Sequence, residues 1–316
     1  MPAFTATAPG KIILAGEHAV VYDQPALAVP LSEIRARAIV QAAVDQHPPT
    51  ISVTASQIEL QDTLAHLSPD HPLKIVIDGV FNALDIHQPP AMKIQIHSTI
   101  PISAGLGSGA AVSVAVIRAL SGFLGHPLPL EKVSEIAYQA EKIHHGNPSG
   151  IDNTVITYQQ PVYFTRGKQL KTFSISRPLT LIIADTGIPS PTAAAVGAVR
   201  RGWEKEPERY QEIFTEIGDL VRELKLALEK GDLSPLGQML TRNHQLLRSL
   251  KVSSPELDRL VDTALSAGAQ GAKLSGGGRG GNMLALVNKS RVEEINHQLL
   301  EAGAVRTLIT EIGGKD

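Results

Sequence analysis

Three alternate glycines, Gly105, Gly107 and Gly109, fall within Pro101-Ile-Ser-Ala-Gly-Leu-Gly-Ser-Gly-Ala-Ala111, directly ahead of a small-residue apolar segment. That segment (Ala110, Val112, Val114, Val116, Ala119) reads as a buried helix. Glycines let a backbone come close to a ligand without Cβ clashes. The first turn of the helix offers unpaired N–H groups and a positive dipole end, which suits phosphate, and Ser108 adds a hydroxyl there. Alternation of Met92, Ile94 and Ile96 over residues 91–96 predicts a strand entering the loop. Strand, loop and helix then follow in the order an anion site requires. No Gly-Lys-Ser/Thr follows and no G-x-G-x-x-G stands in register, so neither a Walker loop nor a Rossmann fingerprint is present. The competing account is a glycine turn in which Ser108 caps a core helix.

The rest of the pattern is mixed. Apolar runs at 11–14, 19–22 and 26–29, punctuated by Gly, Pro and Asp, predict strands and hairpin turns, with Pro9-Gly10 as one such turn. Residues 130–144 are helical by period, with Val133, Ile136, Ala137, Ala140 and His144 on one stripe, ended by His145-Gly146-Asn147-Pro148. A strand at 179–184 follows a Ser-Arg-Pro break, which divides the chain into domains 1–177 and 178–316. Helices are expected over 192–231 with a break at Glu206-Pro207, then over 233–250 and 255–267. A glycine-split strand pair across 273–287, a helix at 291–302 and a strand at 306–312 complete the chain. With no βαβ regularity, the class is α+β.

Several residues carry possible chemistry. Asp152 closes a stiff Gly/Pro loop beside Ile151, where a carboxylate is costly to leave unpartnered. Glu141 lies about 80° from the centre of its helix's apolar stripe; it is either an edge glutamate or a ligand. Two carboxylates and a hydroxyl beside a phosphate cradle suit a hard cation such as Mg2+. Lys11 either snorkels from its strand or sits beside Asp152, where it would stabilise developing negative charge. Gly16-Glu17-His18 is a turn or a polar patch. Adjacent His144 and His145 diverge on a helix, and with His18 read as structural or hydrogen-bonding groups. Residues 276–281 hold five glycines around Arg279, either a second close approach to an anion or a flexible hairpin with Arg279 reaching phosphate or solvent.

Composition narrows the partners. The 316 residues are long for a single core. Twenty-nine basic residues against 31 acidic ones leave a formal charge of -2, with no basic field for nucleic acid or an anionic membrane. Cysteine is absent, which removes disulfides, thiol nucleophiles and cysteine-ligated metals. No leader pattern and no run of about 18 uncharged apolar residues is visible, so a soluble cytoplasmic protein is expected.

Taken together, Pro9-Gly-Lys-Ile-Ile-Leu-Ala-Gly-Glu-His-Ala-Val-Val21, the 101–111 run, Glu141 with His145-Gly-Asn-Pro-Ser-Gly-Ile-Asp152, and Gly271-Ala-Lys-Leu-Ser-Gly-Gly-Gly resemble the GHMP kinase superfamily. Within it they look like the mevalonate kinases, as does Asp185-Thr186-Gly-Ile-Pro189 followed by Thr192. The resemblance implies a two-domain α+β fold: an N-terminal domain like ribosomal protein S5 domain 2, a ferredoxin-like C-terminal domain, and an active site in the cleft between them. By the same resemblance Pro101, Ile102, Ser103, Ala104, Gly105, Leu106, Gly107, Ser108, Gly109, Ala110 and Ala111 bind ATP. Ser108 and Glu141 hold Mg2+. Asp152 and Lys11 are catalytic and face the substrate hydroxyl, and Glu17, His18 and Thr192 line the mevalonate pocket. The implied reaction is ATP-dependent phosphorylation of (R)-mevalonate to 5-phosphomevalonate, and the family admits a homodimer. Phosphomevalonate kinase is the alternative enzyme. A non-catalytic sensor on the same fold would be expected to have lost some of Lys11, Ser108, Glu141 and Asp152. Two departures stand out: Arg279 occupies a usual glycine of the third motif, and Gly109 replaces a common serine.

Overall fold

The computed structural model describes residues 3–43, 49–102, 105–145, 148–190 and 192–314; Ser103, Ala104, Gly146, Asn147 and Pro191, and the side chains of His144 and His145, lie outside the description. Two compact units divide the chain, one formed by residues 1–11, 32–101 and 107–159, the other by 12–31, 102–106 and 160–316. The first two strands therefore each run out of one unit and into the other.

β1 (Ala3–Ala15) is continuous, so Pro9 and Gly10 lie within a strand and form no turn. Residues Ala19–Tyr22, expected as a strand, instead form a 3-10 turn bounded by left-handed His18 and Asp23. Four apolar residues cannot distinguish the two conformations by period, and the left-handed flanks settle it. β2 (Ala26–Ala42) buries Ile34, Ala36, Ala38 and Val40 in strict alternation over its second half. In the first unit β2 pairs antiparallel with β5 (Met92–Ser98), β5 pairs parallel with β3 (Ile51–Ala55), and β3 pairs antiparallel with β4 (Leu60–Thr63). α1 (Pro72–Ala83), α2 (Ser108–Phe123) and α3 (Leu130–His145) pack on one another. The short α4 (Ile151–Tyr158) packs on α2 and α3. Asp152 thus belongs to the first turn of a helix and not to a closing loop.

In the second unit β6 (Val162–Phe164) pairs with the first residues of β2 and with β7 (Lys171–Thr172). The main sheet uses β8 (Leu179–Asp185), followed by α5 (Thr192–Lys205), α6 (Pro207–Lys230), α7 (Leu236–Ser249) and α8 (Pro255–Ser266). β9 (Gly271–Ser275), β10 (Asn282–Val287), α9 (Val292–Glu301) and β11 (Arg306–Ile312) complete it. Strand order is β11-β8-β10-β9, every pair antiparallel. The fourth strand lies beside the first and the third separates the first from the second, which is the ferredoxin-like arrangement. α7 starts three residues later than expected because Pro235 takes the cap position and Asp232 Oδ1 binds the Ser234 N–H in a preceding turn. α8 begins as the sequence indicates, Ser254 accepting from the Leu257 N–H with Pro255 in the first turn.

Glycine sets how closely α7 approaches β9. A Cβ on Gly271 would lie 2.0 Å from the Gly237 carbonyl oxygen, and one on Gly237 would lie 1.9 Å from that of Gln270. Helix and strand backbones therefore touch, and β9 is held where it delivers Lys273 and Ser275. Gly237→Ala is expected to lower unfolding stability by about 1–3 kcal/mol through overpacking, despite alanine's better helix propensity. Urea melts measure this; parental stability would mean that the backbones are not in contact.

Candidate active site

Lys11 stands mid-strand in β1 and is only 4% exposed. Its ammonium lies 2.8 Å from Asp152 Oδ1, so it does not snorkel. Asp152 sits in the first turn of α4, whose cap, Gly150, has φ 87°. The positive end of that helix adds to Lys11 in favouring a negative charge there. Glu141, on α3, is 8% exposed. Burial first and the neighbouring Asp152 charge second push its carboxyl well above the usual range, with Lys11 opposing. It is therefore no ordinary edge glutamate.

The glycine run reaches this cluster. A Cβ on Gly107 would lie 2.8 Å from Ile156 Cδ1 and 3.0 Å from Lys11 Cγ, so only glycine lets the chain cross the lysine stem there. Gly107, at φ 76°, is the cap of α2, and no side chain caps that helix. Ser108 is the first helical residue and half-buried, which overturns the capping account. Gly105 and Gly109 are exposed, and a Cβ added at either would meet nothing within 4 Å. Leu106, Ala110 and Ala111 are buried anchors, Ile102 is exposed and Pro101 is half-buried. Of the eleven residues expected to bind nucleotide, Ser103 and Ala104 fall outside the described residues.

A second cluster forms in the other unit. Glu17 Oε1 pairs with the Lys273 ammonium, which also donates to the Leu274 carbonyl at 2.6 Å. Both side chains are buried, Lys273 fully. His18 Nε2 lies 3.0 Å from the Gly277 carbonyl oxygen. Burial, assisted by Arg279, lowers the His18 pKa to about 4 against that hydrogen bond, so the ring is neutral near pH 7. Thr192 opens α5 and packs against Gly277, where a Cβ would lie 3.0 Å from Thr192 Cα. The structure thus brings together Glu17, His18 and Thr192, and separately Lys11, Asp152 and Glu141. Lys273 joins this cluster through Glu17, and the sequence reading does not pick it out. Its signal is a lone lysine in the otherwise uncharged strand Gly271–Ser275.

The third glycine motif is not a flexible hairpin. Gly278 faces the Val252 carbonyl oxygen, 2.0 Å from where a Cβ would stand, and Gly280 faces that of Ile188 at 2.6 Å. Ser190 Oγ donates to the Gly278 carbonyl at 2.7 Å, and the Arg279 N–H to that of Val252 at 2.8 Å. Thr186 donates through both its N–H and its hydroxyl to Gly281. Arg279 itself is exposed and left-handed, at φ 61°.

Comparison with known proteins adds to this geometry. Residues 73–160 match the GHMP kinases N terminal domain, and residues 224–305 match the GHMP kinases C terminal domain. The mevalonate kinase of Pyrococcus horikoshii is 35% identical, covering 97% of this chain and 95% of that relative. The crystal structure of L. major mevalonate kinase in complex with R-mevalonate superposes with a TM-score of 0.83 at 29% identity, covering 98% of this chain and 95% of that one. The Methanococcus jannaschii mevalonate kinase structure gives a TM-score of 0.86 at 27% identity, covering 99% of both chains. The two-domain α+β architecture expected from the sequence is the one these structures share. Matched in both domains, and 35% identical to a relative over 97% of its own length, this chain belongs to the GHMP kinases.

Proposed function

We propose that this protein transfers the γ-phosphoryl group of ATP to the primary hydroxyl of (R)-mevalonate, releasing 5-phosphomevalonate and ADP. The observation that carries the reading is the Lys11–Asp152 pair, at 2.8 Å, crossed by Gly107 of the phosphate loop. Phosphoryl transfer asks mainly for positioning and charge neutralisation. The run 101–111 cradles the phosphates with glycine backbone and the first turn of α2. Asp152 accepts the hydrogen bond of the attacking hydroxyl and takes its proton as the new O–P bond forms and the β–γ bridge breaks. Lys11 holds that carboxylate in place and offsets charge at the reacting oxygens. Glu17, His18 and Thr192 line the mevalonate pocket.

The residues present suit Mg2+. Two carboxylates, Glu141 and Asp152, share one lysine, and burial first, then the Asp152 charge, raises the Glu141 pKa. Among the described residues no group of three or more His, Cys, Asp or Glu could hold a metal. Mg2+ takes oxygen ligands and completes its shell with phosphate and water. Ser108 and Glu141 would hold it, and when bound it would neutralise phosphate charge. No helix among the described residues is long and apolar enough to cross a membrane; water-soluble substrates make the cytoplasm the natural location.

Turnover of purified protein with ATP and a panel of hydroxyl substrates tests the reading. Preference for 5-phosphomevalonate over mevalonate would overturn it in favour of the phosphomevalonate kinase alternative. Asp152→Asn should lower kcat by about 10²-fold or more with the KM for ATP little changed; unaltered kcat in folded protein would remove Asp152 from the chemistry.

Glu141→Gln should raise the Mg2+ concentration needed for half-maximal rate. It should also raise the melting temperature of cation-free protein at pH 8. The folded-state pKa of Glu141 lies above its unfolded value, so its contribution to stability is lost as pH rises. The neutral variant escapes that loss, and the difference should vanish near pH 4. A normal Mg2+ titration with equal melting at both pH values would return Glu141 to a structural place.

Ser108→Ala is expected to leave melting unchanged, since no cap is lost, yet to weaken nucleotide use in a way that high Mg2+ relieves. Lower melting with full activity at ordinary Mg2+ would contradict the assignment.

A further inference from the structure

Among the described residues, several buried acceptors of the second unit have no hydrogen-bond partner, and two of them fall on neighbouring residues. Glu17 Oε2 and His18 Nδ1, on consecutive residues, are both without a hydrogen bond. A carbonyl only accepts, so the contact with Gly277 places the His18 proton on Nε2 and leaves Nδ1 as a lone-pair acceptor. Unsatisfied buried acceptors cost stability, and acceptors on consecutive residues suit a ligand that donates a hydroxyl hydrogen. His18 also holds φ 61°, a conformation uncommon outside glycine.

Lys273 explains how such a carboxylate persists away from water. Its ammonium has two acceptors, Glu17 Oε1 and the Leu274 carbonyl oxygen. Its strand neighbours Ala272 and Leu274 are fully buried and apolar. A buried ion pair in such surroundings contributes little stability relative to well-packed apolar residues, whereas removing one member exposes the other to the full desolvation cost. The pair is therefore poorly accounted for as a device of the fold.

We infer that Lys273 is a positioning residue for substrate recognition: by holding Glu17 through Oε1 it leaves Oε2, on the residue next to the His18 Nδ1 acceptor, to accept the hydroxyl hydrogen of a hydroxy acid. The inference rests on the mevalonate reading above and deepens it. Mevalonate carries a tertiary hydroxyl that is not phosphorylated, and its single hydrogen is the one that Glu17 Oε2 or His18 Nδ1 would accept. Lys273 touches neither substrate nor nucleotide.

The test uses full-length protein, mevalonate, and its analogue lacking the tertiary hydroxyl. Calorimetric titration of parent protein with mevalonate comes first, and a parent that neither binds nor phosphorylates mevalonate overturns the functional reading and this inference together. Given a competent parent, Lys273→Met should raise the KM for mevalonate by about tenfold or more, with the KM for ATP within about twofold. The parent should prefer mevalonate over the analogue by about 10²-fold or more, because a site built for a hydroxyl leaves its own acceptors unpaired without one. That preference should largely disappear in the variant. If Lys273→Met does not fold, the neutralised Lys273→Met/Glu17→Gln protein, which buries no lone charge, replaces it with the same expected losses. Parental KM and parental preference in either folded variant, or a fall in kcat with both KM values unchanged, would sink this inference alone and leave Lys273 as a brace.

Discussion

The contact on which most of the first unit depends is the ion pair of Lys11 with Asp152, formed where a strand, two helices and a glycine loop converge. An unpaired lysine 4% exposed in mid-strand would be strongly disfavoured, so β1 can run through this position only if α4 delivers a carboxylate to it. Gly150 allows α4 to start where it does, and Gly107 allows α2 to start against the lysine stem. Glu141 then adds a second carboxyl to a place with one cation. The cluster is short of positive charge as built, and burial makes that shortage costly. A cation carried on the nucleotide, as the proposed reaction requires, would relieve that shortage.

Much of this is legible in the sequence because the informative residues are those whose alternatives are expensive. A lysine between Gly10 and an apolar run, and an aspartate beside Ile151, each predict a partner without naming it. Long elements with a clear period, α3, α6 and α8, appear close to where the pattern sets them. Illegible parts are short or governed by contacts distant in sequence. Nothing local distinguishes the 3-10 turn Ala19–Tyr22 from a strand. Pro9 and Gly10 lie inside β1, a strand that pairs with β2, against their usual preference for turns. Lys273 escapes notice because its meaning depends on Glu17, more than 250 residues away. β9 is the edge strand of its sheet and is nevertheless buried throughout, which no local pattern announces.

The two glycine-rich segments show one residue type put to opposite uses. In the first, Gly105 and Gly109 face open space, and an added Cβ would meet nothing. Their lack of a side chain leaves room for a ligand, with the exposed backbone as the recognition surface. In the third motif, the space beside Gly277, Gly278 and Gly280 is taken by Thr192, the Val252 carbonyl and the Ile188 carbonyl. Those glycines are required by the protein's own packing, and the segment serves to fix neighbours. It fixes His18 through the Gly277 carbonyl and Thr192 by direct contact. Arg279 interrupts the run at the one exposed position among 277–281, where a long side chain meets no wall. The substitution is therefore tolerated sterically at the cost of a left-handed backbone, and its charge reaches His18, helping to keep that ring neutral.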